Sequence, residues 1–337
     1  MISFKSDYAQ IAHPRMLQAL INANMEHSDG YGEDKHCKNA IRLIRQALGN
    51  DGCFVTFMPT GTIANLTAIS HMLRQHQAVI SADTGHIFTN ETGAIEATGH
   101  KVIACAGENA KLTPELIVST LAKYTHVPHV VQPKMVYLSQ STEWGTVYNK
   151  EELTAISGLC REKGLYLYVD GARLGSALAA LRGDLTLADM ATLTDAFTFG
   201  GTKNGALLGE AVIIPNKALA EDFMFSVRQK GGLLAKGNVL GIQFEELFKD
   251  DFYIELADHA NRMSSMLKEG LQQAGYRFHV ASPTNQQFVY VENQTIERLK
   301  QNYLFLIWKA GETHSLIRLI TSWATSEEDV RGLLAQM

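Results

Sequence analysis

The sequence predicts an α/β fold: a large domain with a mainly parallel sheet between helices, then a small C-terminal α+β domain. Three observations carry this. Between residues 53 and 215, short apolar segments alternate with segments of helical spacing. Those short segments are apolar on both faces, as strands covered on both sides must be. From about residue 216 the pattern changes, with helical spacing over 217–273 and a mixed remainder. A chain of 337 residues is long enough for two such units. The expected division is 1–245 for an N-terminal segment and the large domain, and 246–337 for the small one.

The elements follow in order. Residues 38–49 have helical apolar spacing and a glycine stop. Cys53 to Met58 reads as a strand that Pro59-Thr60-Gly61-Thr62 turns into a helix, Ile63 to Leu73. Ala78 to Ala82 is a strand, followed by a helix up to Thr98 and a strand from Lys101 to Ala106. Thr113 caps a helix with Pro114 in its first turn. Lys134 to Ser139 is a strand, and Asn149 with Glu152 forms a capping box for the helix to Lys163. Leu165–Val169, a helix near Ser176–Leu181, Ala196–Phe199 and Ala211–Pro215 complete the large unit. The small unit has strands near 276–280, 286–291 and 314–320, a short helix near 295–301, and a last helix capped by Ser326.

Composition narrows the function. A net charge of −5 argues against nucleic acid, which needs clustered basic residues. No stretch approaches the ~20 apolar residues of a membrane span, and the N-terminus lacks a signal-peptide core. Cys37, Cys53, Cys105 and Cys160 are scattered and read as reduced thiols of a cytoplasmic protein. The twelve histidines show no metal-site spacing, so no metal is expected.

Five positions carry the chemistry. Thr60-Gly61-Thr62 lies between a strand and a helix, where free N–H groups attract an anion. It is neither a P-loop nor a GxGxxG turn, which weighs against a nucleotide enzyme. Asp170 ends an apolar strand, at the sheet edge where α/β proteins bind ligands; a helix cap is the plainer alternative. Lys203 lies on a turn among Gly200, Gly201, Gly205 and Gly209. Glycine there permits close approach of a ligand, and lysine forms Schiff bases with carbonyl cofactors. A strand-end carboxylate and a turn lysine are the two groups that pyridoxal 5′-phosphate (PLP) needs most. His86 follows a strand and can stack on a flat ring or act as a base, or merely cap its helix. Arg318 is a charge in an apolar strand, suited to a substrate carboxylate if it is not simply solvated.

With these residues in this order, the chain resembles the threonine aldolases, in the PLP-dependent fold type I group that includes the β-eliminating lyases. The likeness spans about residues 5–325. It runs through Ser6-Asp7, Gly30-Tyr31-Gly32-Glu33-Asp34, Thr60 to Leu66, Gly85-His86-Ile87, Glu91-Thr92-Gly93, Asp170 to Arg173, Thr202-Lys203 and Ile317-Arg318-Leu319. The resemblance implies that Lys203 forms the internal aldimine, Asp170 holds the pyridinium nitrogen and His86 stacks on the ring. Gly61 and Thr62 would bind the phosphate, with Thr202 beside the lysine. Arg173 would face the phenolate oxygen or the substrate. Ser6 and Arg318 would hold the substrate carboxylate. Tyr31, and Arg228 and Lys236 as phosphate contacts, would come from a neighbouring subunit, because family sites lie at dimer interfaces within tetramers.

One departure matters. Where many family members carry Thr-His-Asn after the strand 134–139, this chain reads Ser141-Thr142-Glu143-Trp144. Glu143 could take the base role if burial raised its pKa. The expected reaction is retro-aldol cleavage of L-threonine or L-allo-threonine to glycine and acetaldehyde. β-Elimination by the same cofactor is the enzymatic alternative. A sugar- or nucleotide-binding protein with an incidental lysine is the non-enzymatic one.

Overall fold

A computed structural model describes residues 1–337. The main sheet has seven strands, in spatial order Phe54–Met58, Glu210–Ile214, Ala196–Gly200, Tyr166–Asp170, Gln132–Ser139, Gln77–Ala82 and Val102–Cys105. Glu210–Ile214 runs antiparallel to both neighbours. The other pairings are parallel. The expected α/β fold, with a mainly parallel sheet and a separate C-terminal sheet, is therefore what the chain forms.

Alternate residues of each strand enter different cores, as the pleat demands. Met135 and Tyr137, with Tyr168 and Val212, face helices Gly61–Met72 and Phe223–Gln229. Val136 and Leu138, with Leu167, Val169 and Phe197, face Lys35–Leu48, Lys150–Lys163 and Asn238–Leu247. Asn149 caps Lys150–Lys163 through the expected box, accepting the Glu152 N–H at 2.8 Å and donating its own N–H to Glu152 at 2.9 Å.

The C-terminal sheet is antiparallel, in the order Leu306–Lys309, His314–Ile320, Gln286–Glu292, Arg277–Phe278. One helix, Phe252–Gln273, serves both units. Its Phe252, Tyr253 and Leu256 lie in the large core, whereas Met263, Leu267 and Leu271 lie in the small one. The first residues also join the small unit, although the sequence division set them with the large one. Ile2–Ser3 pairs in parallel with Tyr303–Leu304. Phe4 is fully buried in the small core, and its carbonyl accepts the Ile320 N–H at 2.8 Å.

Two local differences from the sequence reading have physical causes. The helix expected to reach Thr98 is interrupted: His86–Thr89 ends at Asn90 (φ −128°), Thr92 (φ 53°) and Gly93 (φ 70°) are left-handed and cannot continue it, and only a short helical turn follows at Glu96–Thr98. Helix Leu187–Leu193 was not anticipated; its signal was the capping box of Thr186 and Asp189. No helix is long and apolar enough to cross a membrane.

Candidate active site

Strand ends at the carboxyl edge of the sheet bring the chemistry together. Two glycines make the close approach possible there. A Cβ on Gly171 would collide with the Thr198 carbonyl, and one on Gly200 with the Ala172 carbonyl. Asp170 and the turn bearing Lys203 therefore lie on adjacent strand ends.

Asp170 is buried and fully engaged. Its Oδ2 accepts from Tyr137 Oη (2.7 Å) and Asn65 Nδ2 (2.8 Å), and its Oδ1 from the Ala172 N–H (2.9 Å). Burial opposes its ionisation. His86, Tyr137, Lys203 and Asn65 together outweigh burial and hold it below the usual carboxylate range. Asn65 is fixed in turn: its Oδ1 accepts from Tyr168 Oη at 2.8 Å, and its Nδ2 also donates to Glu91 Oε1 at 2.9 Å.

Lys203 is pulled below the ordinary lysine range, first by burial and then by the Arg173 guanidinium; Asp7, Asp170 and Glu210 oppose this. A lysine held toward its neutral form is a nucleophile. Arg173 is itself tied to Asp7, with Nε–Oδ2 at 2.6 Å and Nη2–Oδ1 at 3.0 Å. Asn285 Nδ2 donates to the same Asp7 Oδ2 at 3.0 Å.

His86 opens the short helix after Gln77–Ala82. Burial lowers its pKa, the nearby Asp170 raises it, and Lys203 and Arg173 lower it further. Glu143 Oε1 accepts from Ser139 Oγ at 2.6 Å. Burial pushes Glu143 up to about 7, against the Ser139 hydroxyl and the His86 backbone N–H. Glu91 is likewise pushed to about 7 by burial, with Asp170 adding to it and Asn65 and Thr62 opposing.

The turn at Thr60-Gly61-Thr62 forms the N-terminus of helix Gly61–Met72, where Thr60 Oγ1 accepts the Ile63 N–H at 3.3 Å. Thr202 Oγ1 accepts the Gly209 N–H at 3.1 Å, so this hydroxyl closes the lysine turn. Ser6 is half-buried beside Asp7. Arg318 is largely buried, with its Nε lacking any partner and its guanidinium 5.2 Å from the Trp308 ring centre. Burial and the neighbouring Arg173 lower Arg318 to about 10. Asp7 pairs with Arg173 alone, so the neighbouring Arg318 guanidinium keeps an uncompensated charge that suits a carboxylate ligand.

Three of the expected residues lie apart from this group. Tyr31 is 46% exposed, with the Arg228 guanidinium 5.2 Å from its ring centre. Its N–H donates to the Ala235 carbonyl at 3.1 Å, next to Lys236. Tyr31, Arg228 and Lys236 thus share one surface, and no hydrogen bond within the chain joins them to Lys203 or Asp170.

Sequence reasoning assigned no role to Asn65, Glu91, Tyr137, Tyr168, Asp7 or Glu210. A signal existed for the tyrosines. Tyr137 and Tyr168 are polar tips in otherwise apolar strands, and the strands' register pairs them directly.

The donor set fits PLP. It offers an ionised carboxylate, an amine shifted toward neutrality, and a helix N-terminus at Gly61 where a Cβ would meet nothing nearer than the Glu210 carboxyl at 3.9 Å. The fold is shared with an aspartate aminotransferase of Thermus thermophilus, which superposes with a TM-score of 0.72 at 16% identity, over 100% of this chain and 90% of that one. The beta-eliminating lyase profile matches residues 3–294. The low specificity L-threonine aldolase of Pseudomonas aeruginosa is 35% identical over 333 residues, 98% of this chain and 95% of the relative. The structure of a Leishmania major threonine aldolase superposes with a TM-score of 0.98 at 45% identity, over 99% of this chain and 98% of that one. The chain belongs to the beta-eliminating lyase family, in its threonine aldolase group, and is an enzyme, a lyase.

Proposed function

We propose that the protein is a PLP-dependent aldolase that cleaves L-threonine or L-allo-threonine to glycine and acetaldehyde. The observation that carries this is the pairing of Lys203, held toward neutrality, with an ionised Asp170 at adjacent strand ends. PLP bound there supplies an electron sink for the pair released when the Cα–Cβ bond breaks.

Each residue then has a task. Lys203 attaches the cofactor. Asp170, stiffened by Tyr137 and Asn65, keeps the pyridine nitrogen protonated. His86 would lie against the cofactor's ring. Gly61 and Thr62 hold the phosphate, with Thr202 shaping the lysine turn. Ser6 and Arg318 hold the substrate carboxylate and align the breaking bond. Arg173, oriented by Asp7, faces the cofactor's phenolate oxygen or the substrate. Glu143, with a pKa near neutrality, takes the β-hydroxyl proton.

The active sites are proposed to form at dimer interfaces of a tetramer, with Tyr31, Arg228 and Lys236 supplied by the neighbour. Exposed Ile21, Met25 and Phe225 support such a covered surface. Four unpaired, buried cysteines support a reducing compartment, the cytoplasm.

Visible absorption tests the cofactor. Purified protein titrated with PLP should gain an imine band that is absent in Lys203→Ala; a protein that stays colourless rejects the reading. One observation favours a second reaction: an acid near neutrality at Glu143 equally suits protonation of a β leaving group. Threonine and cysteine offered separately decide between them. Glycine from threonine supports aldol cleavage, whereas pyruvate alone supports β-elimination.

A further inference from the structure

Glu210 opens the antiparallel strand and has no task in the site described so far. It is 4% exposed, and its Oε2 is buried without a hydrogen-bond partner. Strand pairing places it opposite Met58 on one side and Gly200 on the other. It therefore lies between the strand that feeds the Thr60-Gly61 turn and the strand that feeds Lys203. The atoms nearest the space above Gly61 belong to this side chain, with Cδ and Oε1 each 3.9 Å from where a Cβ would stand. Gly61 is the first residue of the twelve-residue helix Gly61–Met72, so the carboxyl lies beside that helix's N-terminus.

The charged groups that act on Glu210 are Lys203 and Asp170; the hydroxyls of Tyr168 and Tyr253 lie within its field. Burial dominates and favours the neutral acid. Lys203 opposes it, and Asp170 adds to it. An ionised carboxylate here would repel the same anions that the helix N-terminus attracts. A neutral carboxyl instead offers an O–H donor to them.

We propose that Glu210, in its protonated form, donates a hydrogen bond to the anion held at the N-terminus of helix Gly61–Met72. Loss of its proton replaces a donor by a negative charge at the same contact, so anion retention falls as pH rises. The proposal rests on the reading of this turn as the phosphate site.

The test uses the full chain without PLP, and sulfate as the probe, because sulfate keeps its two charges between about pH 6 and 9. Calorimetry compares wild type with Glu210→Gln, which carries a donor at every pH. At about pH 6 the two should bind sulfate alike. As pH rises through the titration of Glu210, the wild type should lose at least roughly tenfold more affinity than the variant. His86 titrates in both proteins and drops out of the comparison; Lys203 and Glu210 act on each other, so Lys203→Met is placed in both backgrounds to remove that titration. Parallel pH dependences, a variant weaker at every pH, or no sulfate binding at any pH would each overturn the proposal. If Glu210→Gln does not fold, Glu210→Leu, which has neither donor nor charge, replaces it and should bind sulfate at least roughly tenfold more weakly than wild type at about pH 6; equal binding rejects the idea. No cofactor is involved, so failure here leaves the Lys203 absorption test standing, and failure there leaves this one.

Discussion

Asp7 and Arg173, 166 residues apart in the chain, form a two-pronged ion pair that is almost sealed from solvent, with Nε–Oδ2 at 2.6 Å and Nη2–Oδ1 at 3.0 Å. It ties the N-terminal segment, whose Ile2–Phe4 belong to the small unit, to the strand end that carries Asp170. The guanidinium of Arg173 is thereby aimed, and its charge is felt at Lys203.

Asp7→Asn should strand a buried guanidinium and lower stability by about 3–5 kcal/mol. The pH dependence follows from the sign of the shift. Burial pushes the Asp7 carboxyl up, but Arg173 and Lys203 outweigh this and hold it below its ordinary range. Its contribution is therefore full above about pH 4, the unfolded value, and is lost as pH falls through the folded one. Urea unfolding at neutral and acid pH should show a gap between wild type and Asp7→Asn that closes on acidification. A gap that is unchanged in acid counts against the pair as its source.

Glu143 sets a limb of the rate profile if it is the base. With its pKa at about 7, kcat/KM on L-threonine should rise through neutrality. Glu143→Gln should flatten that limb and reduce kcat by roughly 10²–10⁴-fold. Ser139→Ala removes a donor to the carboxylate at 2.6 Å, so the limb should shift to higher pH while remaining visible. An unaltered limb in Glu143→Gln assigns the base elsewhere.

Tyr31 and Lys203 are expected to meet only across subunits. Tyr31→Ala and Lys203→Ala, each inactive alone, should recover activity when unfolded together and refolded. Random pairing in a two-fold dimer makes about a quarter of the sites intact. Recovery near zero would place Tyr31 outside the neighbouring site.

The strand–helix alternation of the large unit was legible because its strands are apolar on both faces and its helices carry clear caps. Asn149, Thr113 and Ser326 cap the helices that the sequence implies. Lys203, Asp170 and the Thr60 turn could be found because each sits at a strand end, where local sequence marks the position. The residues that tune them could not. Asn65 lies inside a helix, Tyr137 and Tyr168 inside strands, and Glu210 at the start of one, so their meeting depends on sheet order rather than on neighbours in the chain. The antiparallel course of Glu210–Ile214 was hidden for the same reason: a buried strand is apolar in either direction. The pairing of Ile2–Ser3 with Tyr303–Leu304 is a contact of two short segments, too brief to show a period.

That last pairing sets an order of events during synthesis. The segment leading to Asp7 is synthesised about 300 residues before the strand that pairs with it, Tyr303–Leu304. Until then Arg173 waits without its carboxylate. The large sheet can assemble on the nascent chain, but the wall of the pocket that Asp7 supplies closes only once Tyr303–Leu304 has emerged, as long-range contacts form late. A ribosome stalled before residue 303 would therefore hold a chain with its lysine in place and its arginine unaimed.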